Sequence, residues 1–164
     1  MGIVTFEMES GLFPVSECDN PEASQFLDYW NGARGDQFAP AWSDIDLMAL
    51  PLDLVPRVFI VDVITDPLEF VYRFFGTWHV RMIGTEMTGK RLSDIEDNTF
   101  RSVLLDQYKS IIELRKPCLF RAKFPAYPAK IYSTEIIRAP LSHTGESIDG
   151  LMSLEILVGE EKNY

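Results

Sequence analysis

Histidine and cysteine, the side chains most versatile in acid–base, nucleophilic and metal chemistry, are few in this sequence and lie far apart. There are two histidines, His79 and His143, and two cysteines, Cys18 and Cys118. The cysteines are widely separated and have no clustered ligands beside them, so the reading is two reduced thiols rather than a disulfide framework or a zinc site. Ser142, His143 and Ser147 share a short stretch. No strand–nucleophile–helix elbow surrounds them, and their residue types suit a turn. Asp94, Glu96 and Asp97 cluster just before a helical pattern. Such a group could hold a metal or form an acid–base pair, but it also complements a helix dipole, and that is the preferred reading. Gly84 and Gly89 lack the Gly-Lys-Ser/Thr ending of a phosphate loop. A small enzyme with a deep cavity, of isomerase, hydratase or thioesterase type, would need convergent acid–base groups. Only His79, Asp62 and Glu135 offer themselves. The expectation is therefore no catalytic residue, no metal and no enzyme.

A set of aromatic side chains remains. Tyr72, Phe74, Trp78, Tyr108, Phe120 and Tyr132 fall where they could face a common interior, with His79 and Met82 beside them. Tyrosine and tryptophan carry polar tips that need partners when buried. A pocket of this make-up suits a small apolar or aromatic metabolite. The same residues could equally fill a core.

Placing those residues requires the elements around them. Residues 1–20 show no sustained period and read as a flexible leader. Asn20 and Pro21 open a helix over residues 21–33, with Asn20 as cap, and Phe26, Leu27, Tyr29 and Trp30 form its apolar stripe. A connector follows to residue 56, with a short helical piece capped by Asp44. The period then changes to two. Strands are expected over 58–64 and 69–75, with Thr65-Asp66-Pro67 as the turn between them. In the second, Arg73 points outward while Tyr72 and Phe74 share the inward face. Short helices near 78–83 and 92–95 lead to a longer one from Asn98 or Thr99 to Lys116-Pro117. Strands over 118–124, 130–138 and 147–158 follow, then a tail at 159–164.

Two hairpins separated by a helical crossover imply an α+β fold in which helices cover one face of a five-stranded antiparallel sheet. That element order resembles the one of a PAS domain. In the first strand Phe59, Val61 and Val63 alternate with Val58, Ile60 and Asp62, so both faces are apolar. The outer face needs a cover, from the N-terminal helix of the same subunit or of a second one. Phe26, Leu27, Tyr29 and Trp30 are thus candidates for the interface of a homodimer.

Hydrophobic residues make up 46% of the chain and aromatics 12%, enough for one packed domain. The net charge is −10, nearly all of it in residues 1–56, where ten acidic residues face the single basic Arg34. That field disfavours nucleic acid and anionic membranes as direct partners. No apolar run approaches the length of a membrane span, and the N-terminus lacks the basic region of a signal peptide. The expected location is cytoplasmic.

The residues also carry a resemblance. The stretch Tyr72-Arg73-Phe74-Phe75-Gly76-Thr77, then Gly84, then Met87-Thr88-Gly89-Lys90, resembles the signature of a bacterial PAS-like family. That family occurs mainly as short stand-alone proteins in alphaproteobacteria. Upstream, Trp30, Arg34, Pro40, Asp44-Ile45-Asp46 and Leu50-Pro51 fit the same pattern. Trp42 and Leu47 depart from it, standing where the family usually has Arg and Pro. The resemblance spans roughly residues 26–157, with residues 57–158 as the PAS-like domain and 21–56 as an N-terminal helical segment. It implies a sensory or regulatory role with an unknown signalling partner. It implies no particular cofactor. A haem sensor would need an axial ligand, usually a histidine on the long helix, and that helix has none. A flavin photosensor would need a cysteine on the crossover helices, and none lies there. The alternative to a ligand-binding sensor is a dimerisation or interaction module with a filled core.

Overall fold

A two-stranded hairpin, a helical crossover and a three-stranded meander form one antiparallel sheet with helices on both faces. The computed structural model describes residues 7–8, 12–126 and 130–162. In chain order its elements are β1 (Glu7–Met8), α1 (Pro21–Arg34), β2 (Val58–Ile64), β3 (Glu69–Phe75), α2 (Thr77–Ile83), α3 (Asn98–Leu114), β4 (Cys118–Ala126), β5 (Lys130–Leu141) and β6 (Gly150–Lys162). Five long strands lie in the order β4-β5-β6-β2-β3, and the short β1 pairs outside β4. All the pairings are antiparallel. The first and last long strands, β2 and β6, meet in the sheet interior. The α+β, PAS-like sheet expected from the element order is present.

Local chemistry sets the helix ends. The Asn20 side chain accepts from Glu22 N at 2.9 Å, and Pro21 opens α1. For α3 the cap is Asp97, whose Oδ1 accepts from Phe100 N at 2.9 Å, not Asn98 or Thr99. A carboxylate there satisfies an orphan N–H and meets the positive end of the helix dipole. In the connector, Asp46 rather than Asp44 caps the turn at Leu47–Ala49 by accepting from Met48 N. Asp44 instead accepts from Ala41 N and closes the preceding turn.

Both faces of the sheet are buried, as the apolar alternation in β2 requires. On one face Val58 and Ile60 join Leu119, Ile137, Met152 and Leu154 beneath α1. On the other, Phe59 and Val61 join Tyr72, Ile136 and Leu151 beneath α2 and α3. The cover for the outer face comes from the same chain. Phe26 is 0% and Trp30 4% exposed, and Trp30 Nε1 donates to the buried carbonyl of Pro140 at 2.9 Å. This corrects the assignment of Phe26 and Trp30 to a subunit interface, because their apolar surface is already used inside the chain. Leu27 and Tyr29 are half-buried, and the Tyr29 hydroxyl is tied to the backbone of Asp46.

Of the expected leader at 1–20 and tail at 159–164, residues 7–8, 12–20 and 159–162 are described, and the rest of both lies outside the described residues. Phe13 exchanges backbone hydrogen bonds with Leu119, Phe13 and Val15 pack against the outer core, and Cys18 is buried. Residues 12–20 are therefore docked along β4 rather than loose, because their apolar side chains find the sheet edge. Likewise β6 runs on to Lys162, paired with Lys130.

One irregularity decides which aromatics face inward. Ile60 pairs with Phe74 while Val61 pairs with Tyr72, so Arg73 is an extra residue in β3. This β-bulge reverses the alternation beyond it. Tyr72 faces the inner core, Phe74 packs on the outer core, and Phe75 takes the inward position. The bulged Arg73 points outward, with its Nε 2.7 Å from Asp62 Oδ1.

Candidate ligand-binding site

The helical crossover holds the inner face of the sheet around a cavity of about 70 Å³. Gly76 makes that approach possible. Its backbone N–H donates to Val58 O, and a Cβ at this position would lie 2.2 Å from the Pro56 carbonyl oxygen. Only glycine lets α2 start this close to β2. Gly84, at φ +77°, ends α2 in the left-handed conformation.

From that position α2 turns Trp78, His79 and Met82 to the cavity. One side of α3 adds Phe100, Leu104 and Tyr108, at the helical spacing that a single face requires. The sheet contributes Phe59 and Phe75 with Tyr72, and from its middle strands Ile136, Arg138 and Glu155. Met87 and Ile95 of the crossover close the outer end. Together with Ile83 and Phe100 they also border an open surface groove whose rim carries Lys90, Asp94 and Glu96. The cavity and the groove thus share a boundary.

The walls are aromatic. Phe59 lies edge-on to His79 at 5.0 Å between centroids, and Tyr72 edge-on to Phe75 at 5.5 Å, geometries that suit ring quadrupoles. Polar groups sit at fixed points among them. The hydroxyls of Tyr72 and Tyr108 are 3.0 Å apart. Burial raises both phenol pKa values, that of Tyr72 well above the ordinary one. His79 is 4% exposed. Its Nε2 lies 2.9 Å from the Arg57 carbonyl oxygen. A carbonyl only accepts, so this assigns the ring proton to Nε2. Nδ1 then faces Glu155 Oε2 at 3.3 Å, and that contact becomes a hydrogen bond when the pair takes up one more proton. Burial, the largest effect, lowers the His79 pKa, and the Glu155 carboxylate and Arg57 carbonyl offset part of it. The other Glu155 oxygen accepts from Thr134 Oγ1 at 2.9 Å.

Arg138 is 2% exposed. Its Nε and Nη2 both donate to Gln107 Oε1, at 2.9 and 2.8 Å, and Nη1 donates to Ser153 Oγ at 3.0 Å. The guanidinium carbon lies 5.0 to 5.7 Å from the ring centroids of Tyr108, Phe59 and Phe120.

Of the eight residues expected to line a pocket, Tyr72, Trp78, His79, Met82 and Tyr108 do so. Phe74 does not, because the bulge at Arg73 turns it to the opposite face. Phe120 is buried beside Arg138 but behind the lining, and Tyr132 lies farther along β5, half-buried and away from the cavity. The acid–base candidates do not converge. Asp62 pairs with Arg73, and Glu135 lies 3.4 Å from Arg121, which also reaches Glu17 of the N-terminal segment. Asp94 and Asp97 accept backbone N–H bonds at turn and helix starts. Among the described residues, no group of three or more His, Cys, Asp or Glu could hold a metal ion.

Arg138 and Glu155 escaped the sequence reading. Each is a lone charge inside an apolar strand run, Ile136-Ile137-Arg138-Ala139 and Ser153-Leu154-Glu155-Ile156. Alternation puts Arg138 on the Ile136 face, which was the signal available.

A family model described as PAS domain matches residues 18–153. The chain belongs to the PAS domain family. The match to the PAS domain takes in α1, the strands from β2 to β5 and the start of β6, and the cavity lies between sheet and crossover helices. A search of curated proteins gives no match. PAS domains are in general sensory or regulatory modules. Among the described residues, no helix of this one is long and apolar enough to cross a membrane.

Proposed function

We propose that this PAS domain is a non-catalytic regulatory module that binds a small organic molecule in the cavity beneath α2 and α3 and passes its occupancy to a signalling partner or a second copy of the chain. One observation carries the reading: a cavity of about 70 Å³ with aromatic walls and a few fixed polar groups, bordering an open groove. The non-catalytic part rests on the state of the polar groups. Both ring nitrogens of His79 face protein partners, and burial raises the pKa of Tyr72 and Tyr108, so neither phenol is poised to lose a proton near neutral pH.

The test is native mass spectrometry of freshly purified protein, joined to a thermal-shift screen of small organic molecules. A retained mass, or compounds that raise Tm and lose that effect in a Leu104→Trp variant that fills the cavity, supports the reading. A screen without any such compound overturns it. The modest size of the cavity favours a second reading, an interaction module with a nearly filled core, which is the one left standing by that negative result.

A further inference from the structure

We propose that the cavity takes a small organic anion, its carboxylate-type group seated on Arg138 and its apolar body against the aromatic wall. This rests on the ligand-binding reading above and names the chemistry of the ligand.

The charge of Arg138 is the first reason. A guanidinium that is 2% exposed has left water almost completely, and buried charges are normally paired. Here all three hydrogen bonds go to neutral acceptors, two to Gln107 Oε1 and one to Ser153 Oγ. Among the described residues no carboxylate lies within salt-bridge distance of it. Glu155, the carboxylate that shares the cavity, is turned to Thr134 and His79 instead. The flanking ring faces soften the charge without neutralising it.

Unused donors are the second reason. A guanidinium has five N–H groups, and three bonds leave two without an acceptor among the described residues. The contact between Tyr72 and Tyr108 uses only one of their two hydroxyl protons, and the other also has no acceptor among the described residues. Arg138, Tyr72 and Tyr108 all line the cavity. A carboxylate supplies two oxygens to such a donor set, and the planar guanidinium fork matches its geometry. With about 70 Å³ of space, the cavity suits a small acid with a compact apolar body.

The test titrates the full chain, by calorimetry and by amide chemical shifts, with isobutyrate and benzoate at fixed ionic strength. Isobutyramide and benzamide serve as neutral counterparts, isobutylamine and benzylamine as cations. The proposal expects at least one acid to bind about tenfold or more tighter than its amide, with shifts centred on β5 and α3. In Arg138→Gln that preference falls to within about twofold. Equal binding of acid and amide, tighter binding of the amine, no binding of either acid, or a preference that survives in Arg138→Gln overturns it. Should Arg138→Gln fail to fold, the comparison in the native chain decides alone. Equal binding of acid and amide would sink the anion while leaving a small-molecule site in place; that broader reading fails only on the empty screen.

Discussion

Tyr72 shows how a single position ties the sheet to the chemistry of the cavity. Its hydroxyl meets Tyr108 across the interior, and burial, the largest cause, raises its pKa well above the ordinary value. Ionisation of the unfolded chain near pH 10 is therefore unmatched by the folded one. The sign follows from linkage: a group whose folded pKa is raised stabilises the fold fully below the unfolded pKa, and that contribution is lost as pH rises above it. Urea midpoints should fall from about pH 10 upward, and fall less steeply in Tyr72→Phe. Absorbance of phenolate in the native protein should lag behind that of the urea-unfolded chain over the same range. Gly76 makes a second point at this scale. A Cβ there meets the backbone oxygens of Pro56 and Val58 at 2.2 and 2.7 Å. Gly76→Ala should cost about 3 kcal/mol, the upper end of overpacking penalties, read as a lowered denaturant midpoint. In the sequence Gly76 stands out only as part of the family-like signature; its necessity lies in the Pro56 carbonyl before β2, which no local pattern reveals.

Among the elements, α1 and β3 carry the instructive contrasts. The apolar stripe of α1 and the double apolar alternation of β2 were both readable, and they meet as expected on the outer face of the sheet. What sequence left open was whose helix covers whose sheet. Trp30 settles it by reaching the Pro140 carbonyl within the same chain. Trp30→Phe keeps most of the apolar volume and leaves that buried carbonyl without its donor. A loss of about 1–3 kcal/mol is expected, measured by equilibrium urea unfolding. In β3 the strand limits were read correctly and the face of Phe74 was not. Alternation assumes one residue per ladder position, and the extra Arg73 breaks that assumption for every residue after it. The signal for the bulge is pairing between distant strands, which periodicity along one strand does not contain. For the same reason Arg138 was passed over: its burial depends on Gln107 of α3 and Ser153 of β6.

At the scale of the whole molecule, the sheet is a shared wall between two cores. Removing residues 1–35 would strip the cover from Val58, Ile60, Leu154 and Ile156. Exposed apolar faces of that size associate. The truncated chain should be insoluble or elute as a larger species in size-exclusion chromatography with light scattering, while the full chain shows no such aggregate. A truncated chain that stays monomeric and soluble would contradict the covering role of α1.

The alternation of that wall has a mechanical consequence. Ile137, Leu154 and Ile60 belong to the α1 side, and their immediate neighbours Arg138, Ser153 and Phe59 belong to the cavity side. One peptide unit separates each pair, and close-packed interiors pass strain on rather than absorb it. A load placed on the guanidinium of Arg138 is therefore felt at Ile137 without any helix having to swing. Side chains that meet the cavity and side chains that meet α1 thus alternate along the same strands.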